Sequence, residues 1–224
     1  EYNSKPHVIL TGVVTRIEPR TGNASLRIGT GTEATDAILL AGEQVKGETL
    51  IEGQRIKVYL VDVRRQSRGP QVVISRTHPG LVKRLFELEV PEIYDGTVEI
   101  RSIAREAGSR TKKAVWSNDE NVDPIGACVG PHGQRVNSIV EALRGEKIDI
   151  IKYSDAPAEY IAAALAPADV VDVRLAEEGK ACRGSVPDDQ LSLAIGKEGQ
   201  NARLAARLVG YKIDIKPESY REEE

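Results

Sequence analysis

Methionine is missing from the 224 residues, and phenylalanine and tryptophan occur once each. Large cores are built from such side chains, so their scarcity beside 20 glycines indicates several small domains instead of one large one. Without a methionine, Glu1 is not a translation start, and the chain reads as a piece excised from a longer protein, with N-terminal processing as the other reading. The two cysteines, Cys128 and Cys182, lie 54 residues apart. That spacing excludes a disulfide scaffold and a thiolate metal site, and leaves reduced core thiols of a cytosolic protein. No apolar run approaches the roughly 18 residues of a membrane span, and no signal-peptide pattern opens the chain. No membrane partner is therefore expected, and the expected location is cytoplasmic.

Positive charge is scarce too. A net charge of -3 argues against a surface that grips nucleic acid everywhere. The distribution is uneven: 11 basic against 8 acidic side chains in residues 1–78, 11 against 12 in 79–153, and 9 against 14 in 154–224. The last stretch ends in Glu222, Glu223 and Glu224, a tail expected to fray. Any nucleic-acid contact has to be local and shaped.

Catalysis finds no support either. His7, His78 and His132 are scattered, with no metal-type spacing. Gly196-Lys197 is followed by Glu where a phosphate-binding loop needs Ser or Thr, and Gly29-x-Gly31 lacks a third glycine. The expectation is a non-enzyme with no cofactor, no metal and no catalytic residue.

What is present is an internal repeat. Gly130 and Gly133 interrupt an apolar helical pattern, and 66 residues later Gly196 and Gly199 do the same in phase, with Gln134 matched by Gln200. After each break an apolar stripe resumes at helical spacing, Val136, Ile139, Val140 and Leu143 in one copy and Ala202, Ala205, Ala206 and Val209 in the other. Both copies then pass a glycine and enter the same tetrapeptide, Lys147-Ile148-Asp149-Ile150 or Lys212-Ile213-Asp214-Ile215.

Upstream of the repeat, residues 8–77 read as five Val/Ile/Leu-rich strands joined by glycine turns, which predicts a small antiparallel barrel. His78-Pro79-Gly80 closes it. The first copy then reads as a helix striped by Leu81, Leu85 and Leu88, and a strand with Val98, Ile100 and Ser102 on one face. A second strand near Lys112–Trp116 follows, then a short helix capped by Asp123, the glycine loop, a helix and a strand. The second copy repeats that order, with Asp188 or Asp189 as the cap of its short helix. Only Tyr153–Ala156 separate the copies, so they should dock on each other.

The barrel pattern, with Gly12-Val13-Val14-Thr15-Arg16-Ile17 in its first strand and Val73-Ile74-Ser75-Arg76 in its last, resembles the S1 domain, an OB-type RNA-binding barrel. Base-stacking aromatics are nearly absent, Tyr59 standing alone between Tyr2 and Phe86, so weak RNA binding is expected of the barrel by itself. Arg64, Arg65 and Arg68, in the loop before the last strand, are candidates for a phosphate backbone, with a solvated charged loop as the other reading.

A Gly-x-x-Gly loop between two helices, in a unit that begins with a helix, resembles the type II KH domain. Glycines let a nucleic-acid backbone approach, and the next helix N-terminus offers N–H groups to phosphate. The resemblance implies a groove for about four single-stranded nucleotides. Its floor would be Val129 and Ile195. The loops would be Gly130, Pro131, His132 and Gly133, and Gly196, Lys197, Glu198 and Gly199. Gln134, Arg135 and Asn137, or Gln200, Asn201 and Arg203, would reach phosphates and base edges.

The predicted fold is thus multidomain, an S1 barrel at 1–78 followed by type II KH domains at 79–153 and 154–224. One barrel followed by two KH domains resembles the central RNA-binding region of the NusA family of bacterial transcription elongation factors. That implies a monomer binding single-stranded RNA, the nascent transcript and ribosomal RNA leaders included, with RNA polymerase contacted mainly through a segment outside this chain. It also implies a role in pausing, termination and antitermination. Two other classes stay open: an RNA-binding appendage of a ribonuclease or exosome-type complex, and a KH scaffold used for protein contacts.

Overall fold

The computed structural model describes residues 8–29 and 31–222. The expected strand start at His7 and the Glu223–Glu224 tail lie outside them. Two compact units result. One takes the chain up to Glu89 together with Ala107–Ser109 and Asn137–Glu146; the other takes Val90–Glu106, Arg110–Val136 and Lys147 onward.

In the first unit, alternating apolar residues close a five-stranded barrel in the order β1-β2-β3-β5-β4. The strands are β1 (Ile9–Ile17), β2 (Ala24–Ile28), β3 (Thr35–Leu39), β4 (Arg55–Gln66) and β5 (Gly69–Ser75). All pairs are antiparallel except the closing β3–β5 contact, which is parallel at Ile38 and Val73. Val14, Leu26, Leu39, Val58, Leu60 and Ile74 fill the interior. Gly12 is required there, because a Cβ at that position would stand 2.8 Å from Leu26 Cδ2. Tyr59 faces out of the barrel between the inward-pointing Val58 and Leu60, but it is only 5 % exposed because His78 stacks on it at 4.6 Å between ring centroids, so it stacks no base.

Arg76 is a buried charge with a full set of acceptors. It bonds Glu48 at 2.5 and 2.7 Å, the Lys57 carbonyl at 2.6 Å and, at 3.4 Å, the Ala142 carbonyl. A buried ion is tolerated only with its hydrogen bonds satisfied. Helix α1 (Pro79–Glu89) follows and rests on β1 and β4. Its buried residues are Leu81, Val82, Leu85 and Phe86, whereas Leu88, expected in the stripe, is 70 % exposed. The stripe stops one turn early because the helix ends at Glu89 and the next buried anchor is Val90.

The second unit holds two mixed sheets and their helices. After the single-turn α2 (Pro91–Tyr94), the sheet β6 (Val98–Glu106), β7 (Arg110–Ser117), β8 (Lys147–Lys152) pairs β6–β7 antiparallel and β7–β8 parallel. The sheet β9 (Asp172–Leu175), β10 (Ala181–Val186), β11 (Lys212–Pro217) pairs in the same way. A parallel outer pair beside an antiparallel one is the type II KH arrangement. The helices are α3 (Pro124–Val129), α5 (Pro157–Ala164), α6 (Leu191–Ile195) and α7 (Gln200–Val209); α4 (Gln134–Ala142) has its first turn in this unit and the rest, from Asn137, in the other.

Two sequence-based expectations fail here for local reasons. Ser102 does not share a face with Val98 and Ile100. A bulge at Arg101 shifts the register, setting Ile100 opposite Val115 but Ser102 opposite Ala114, and one extra residue flips the face of everything after it. Ser102 Oγ then donates to the Leu208 carbonyl at 2.8 Å. Nor does an aspartate cap α6: Asp188 accepts instead from the Ser219 N–H at 3.0 Å, just past β11, and Gln190 stands at the helix start with no side-chain cap. Asp123 does cap α3, accepting from the Ile125 N–H at 3.1 Å. The copies dock as expected. Ala104, Ala114 and Ile151 of the first sheet share one buried cluster with Tyr160, Leu165, Leu204 and Leu208 of the second copy.

Candidate nucleic-acid interface

Each glycine loop is built by three left-handed residues around a single 3-10 turn. In the first, φ is 76° at Gly130, 54° at His132 and 74° at Gly133; in the second it is 80° at Gly196, 55° at Glu198 and 75° at Gly199. Sequences as different as Pro131-His132 and Lys197-Glu198 therefore adopt one backbone. The same hydrogen bonds fix it, Gly130 N–H to Gly126 O at 2.9 Å and Gly133 N–H to Gly130 O at 3.1 Å, matched by Gly196 to Ser192 at 2.8 Å and Gly199 to Gly196 at 3.1 Å. Left-handed geometry at a non-glycine residue costs of order 1–3 kcal/mol, so the frame around each loop must hold it.

The two glycines of a loop do different work. A Cβ on Gly130 would stand 2.6 Å from Arg135 Cγ, and one on Gly196 would stand 2.8 Å from the Asn201 backbone nitrogen. The first glycine thus lets the loop close on the helix behind it. The second supplies the turn: a Cβ on Gly199 would meet nothing nearer than Arg203 Nη1 at 3.8 Å. Gly199 is also the N-cap of α7 and offers no capping side chain, and the Gln200 N–H that follows it bonds the Lys197 carbonyl.

These geometries match described families in sequence. Residues 76–153 match the NusA-like first KH domain, and residues 157–223 match the NusA-like second KH domain. The chain belongs to the NusA family. It is 53 % identical over 219 residues to the transcription termination/antitermination protein NusA of Bacillus subtilis, covering 98 % of this chain and 57 % of the relative. Against the protein of the same name from Halalkalibacterium halodurans, identity is 55 % over 223 residues, covering 100 % and 57 %. Against that from Thermus thermophilus it is 49 % over 213 residues, covering 95 % and 54 %. The chain thus spans just over half the length of these NusA proteins.

Within this NusA-family frame the expected site residues divide into three groups. None of the loop residues is buried, and neither are Val129 and Ile195, the latter 37 % exposed. Gln134 begins α4, with Asn137 one turn further on.

Arg135 and Arg203 are already engaged. Arg135 Nη1 donates to Glu92 at 2.9 Å and to the Ala127 carbonyl at 2.7 Å. Arg203 grips Glu106 of β6 at 2.5 and 2.6 Å and the Glu198 carbonyl at 3.0 Å. Burial raises the pKa of Glu106, but hydrogen bonds from Gln200 and Arg203 and the charges of Arg203 and Arg207 outweigh it and hold the carboxyl below its usual value. Both pairs are only partly exposed, the side chains at 41 % and 22 % for Arg203–Glu106 and at 26 % and 32 % for Arg135–Glu92.

Asn201 is the correction. Its side chain is fully buried and donates to the Leu165 carbonyl at 3.1 Å and the Ala194 carbonyl at 2.8 Å, so it cannot reach a base edge. It occupies the place of Arg135, which likewise ties loop to helix through a carbonyl. A short amide reaches those carbonyls only by being sealed in.

In the barrel, Arg64 and Arg65 are not loop residues. They lie on β4, opposite Gln71 and Pro70, and only Arg68 is in the turn. Arg64 Nε stands 3.7 Å from Asp62, and all three arginines are exposed. The hairpin simply runs further than its glycine suggested. Sequence reasoning missed Glu92 and Glu106, the carboxylates that hold the two arginines, because nothing local pairs residues 43 and 97 positions apart.

Proposed function

We propose that this chain is the RNA-binding region of a bacterial transcription termination/antitermination factor, and that its two KH loops hold single-stranded RNA. The observation that carries the reading is the twin loop: two different tetrapeptides share one strained backbone at the mouth of matching helices. Phosphates approach the glycines and the first-turn N–H groups of α4 and α7. Val129 and Ile195 lie beneath the bases, and Gln134, Asn137, Gln200, Arg135 and Arg203 surround them. Neither loop is strongly cationic, so affinity depends on both sites acting together, as expected of linked modest sites. The spans are 1–78 for the barrel, 79–153 and 154–224 for the KH domains. Arg64, Arg65 and Arg68 add a weak, electrostatic contact.

The RNA is the nascent transcript, ribosomal leaders included. Polymerase is met mainly through a segment outside this chain, and the effect falls on pausing, termination and antitermination. The protein acts as a monomer in the cytoplasm and is not an enzyme. The test is binding of an unstructured RNA of about 8–12 nucleotides, twice the four-nucleotide KH site, against a duplex of equal length. Strong preference for the single strand is expected, and equal binding to both would overturn the reading. A second reading, a KH scaffold for protein contacts, draws on the carboxylates already seated on Arg135 and Arg203; it requires that neither RNA binds.

A further inference from the structure

The second sheet presents a face that the first one hides. In the first sheet the residues standing in cross-strand register are Ser102–Ala114–Ile151 and Ala104–Lys112–Asp149. Ala104, Ala114 and Ile151 are buried with the helices of the second copy, and Lys112 is fully buried on Asp149 and the Ala166 carbonyl. The same register positions in the second sheet are Asp172–Ser185–Lys216 and Arg174–Arg183–Asp214. Small and apolar residues have become Arg174, Ser185 and Lys216. Covering these with a helix pair would desolvate the ion pairs Arg174–Asp172 and Lys216–Asp214.

A pocket of about 440 Å3 lies there instead, lined by Arg174, Arg183, Lys216 and Arg221 with Ser185 and Tyr220. The carboxylates in the lining are Glu218 and Glu222, and Asp172 and Asp214 flank it, 3.2 Å from Arg174 Nε, 3.5 Å from Arg183 Nε and 3.8 Å from Lys216 Nζ, so its four cations face as many carboxylates. Tyr220 is 39 % exposed, with the Arg183 guanidinium 5.3 Å and Lys216 Nζ 4.9 Å from its ring centroid. An oxyanion already sits in the pocket, since Arg183 Nη1 holds the Glu222 carboxylate at 2.5 Å.

We propose that this pocket is a further RNA contact, remote in sequence from the glycine loops, taking a phosphodiester on Arg174, Arg183 and Lys216 and a base on Tyr220. The inference rests on the reading that the chain binds single-stranded RNA. An exposed ring beside cations is the combination that single-strand binders use, stacking for the base and charge for the backbone. The Glu222 carboxylate occupies the phosphate position and is displaced on binding.

The test uses the whole chain, 15N-labelled and carrying Gly133→Asp and Gly199→Asp to obstruct the loops, titrated with the tetranucleotide UUUU. Amide shifts at Arg183, Ser185, Lys216 and Tyr220 are expected. Glu222→Gln should tighten the contact about threefold, and the Arg174→Ala, Lys216→Ala pair should lower the log–log salt slope by about 0.7 per phosphate released. Crosslinking of 4-thiouridine RNA to Tyr220 in the unaltered chain gives the same answer should the loop variant not fold. Silence at those amides and no Tyr220 crosslink, while the unaltered chain still binds longer RNA, would overturn the pocket and leave the loops standing. Loss of all RNA binding by the unaltered chain would instead remove the reading beneath both. Equal shifts with inorganic phosphate alone, or shifts with an oligoglutamate peptide and none with RNA, would also overturn it.

Discussion

The two KH copies share a loop to within a few degrees and a sheet topology, and differ in the side chains packed behind them. In the first, a long arginine reaches out to Glu92 and back to the Ala127 carbonyl; in the second, the buried amide of Asn201 ties the loop from inside. The first sheet offers Ala104, Ala114 and Ile151 to its neighbour, and the second offers Arg174, Ser185 and Lys216 to solvent. Beneath the first sheet lies a buried Lys113–Cys128 pair, Nζ to Sγ 3.4 Å, and the matching strand position in the second copy is Gly184. One backbone solution can therefore be held by unrelated side chains, provided the orphan carbonyls find donors and the first glycine stays small.

The largest expected effect comes from breaking the docking that only the first sheet makes. Leu204→Ala, at 0 % exposure in the joint cluster, should cost about 2–5 kcal/mol in urea unfolding. Arg174→Ala on the exposed second sheet should stay within about 0.5 kcal/mol.

The glycines come next. Gly196→Ala should cost more than Gly130→Ala, because the first meets Asn201 backbone atoms while the second meets the flexible Arg135 side chain. A difference of about 1 kcal/mol between two otherwise similar losses is expected in thermal melts. Equal losses would mean that the loops are not closed by the residue five positions on.

Asn201→Ala strips donors from two buried carbonyls and should cost about 1–3 kcal/mol. Arg135→Ala, with partners near the surface, should cost less.

The Lys113 pair predicts a pH dependence that the second copy, with Gly184 at the matching place, has no lysine to supply. Burial brings its pKa down to about 7 from an ordinary 10.5, with the nearby Cys128 opposing the shift. Between pH 7 and 10.5 the unfolded chain holds a Lys113 proton that the folded one lacks, so the contribution of this lysine to stability should rise with pH across that window and be flat below it, while Cys128, whose pKa burial raises, opposes the rise at its alkaline end. Lys113→Met should reduce the rise, with buried Lys112, whose pKa burial also lowers, supplying what is left; an undiminished rise in urea titrations of that variant would clear Lys113 of responsibility.

The smallest effect belongs to the barrel. Replacing Arg64, Arg65 and Arg68 by Ala should lower the RNA salt slope by about 0.7 for each phosphate that is no longer neutralised. An unchanged slope would leave these arginines as a solvated surface.

Much of this was legible in the sequence because it rests on local rules. Glycine spacing, the Asp123 cap and alternating valines and isoleucines act within a few residues. The failures were of a different kind. Ser102 changed faces because a bulge at Arg101 inserted one residue into the alternation. Leu88 kept the helical phase but ran past the end of what the helix covers, and Asp188 turned from α6 to Ser219. Asn201 looked like a base reader because polar residues after a glycine loop usually face outward.

By itself, then, the sequence determined the order of the units, the repeat and the two left-handed loops, since glycine's freedom at positive φ and hydrophobic periodicity act along the chain. Only the tertiary structure decided which polar groups remain available: whether an arginine meets Glu92 or Glu106, whether an asparagine is sealed inside, and which of two similar sheets is covered. Those outcomes depend on groups tens of residues apart arriving at the same place, and hydrogen-bond satisfaction on burial is settled only when they do.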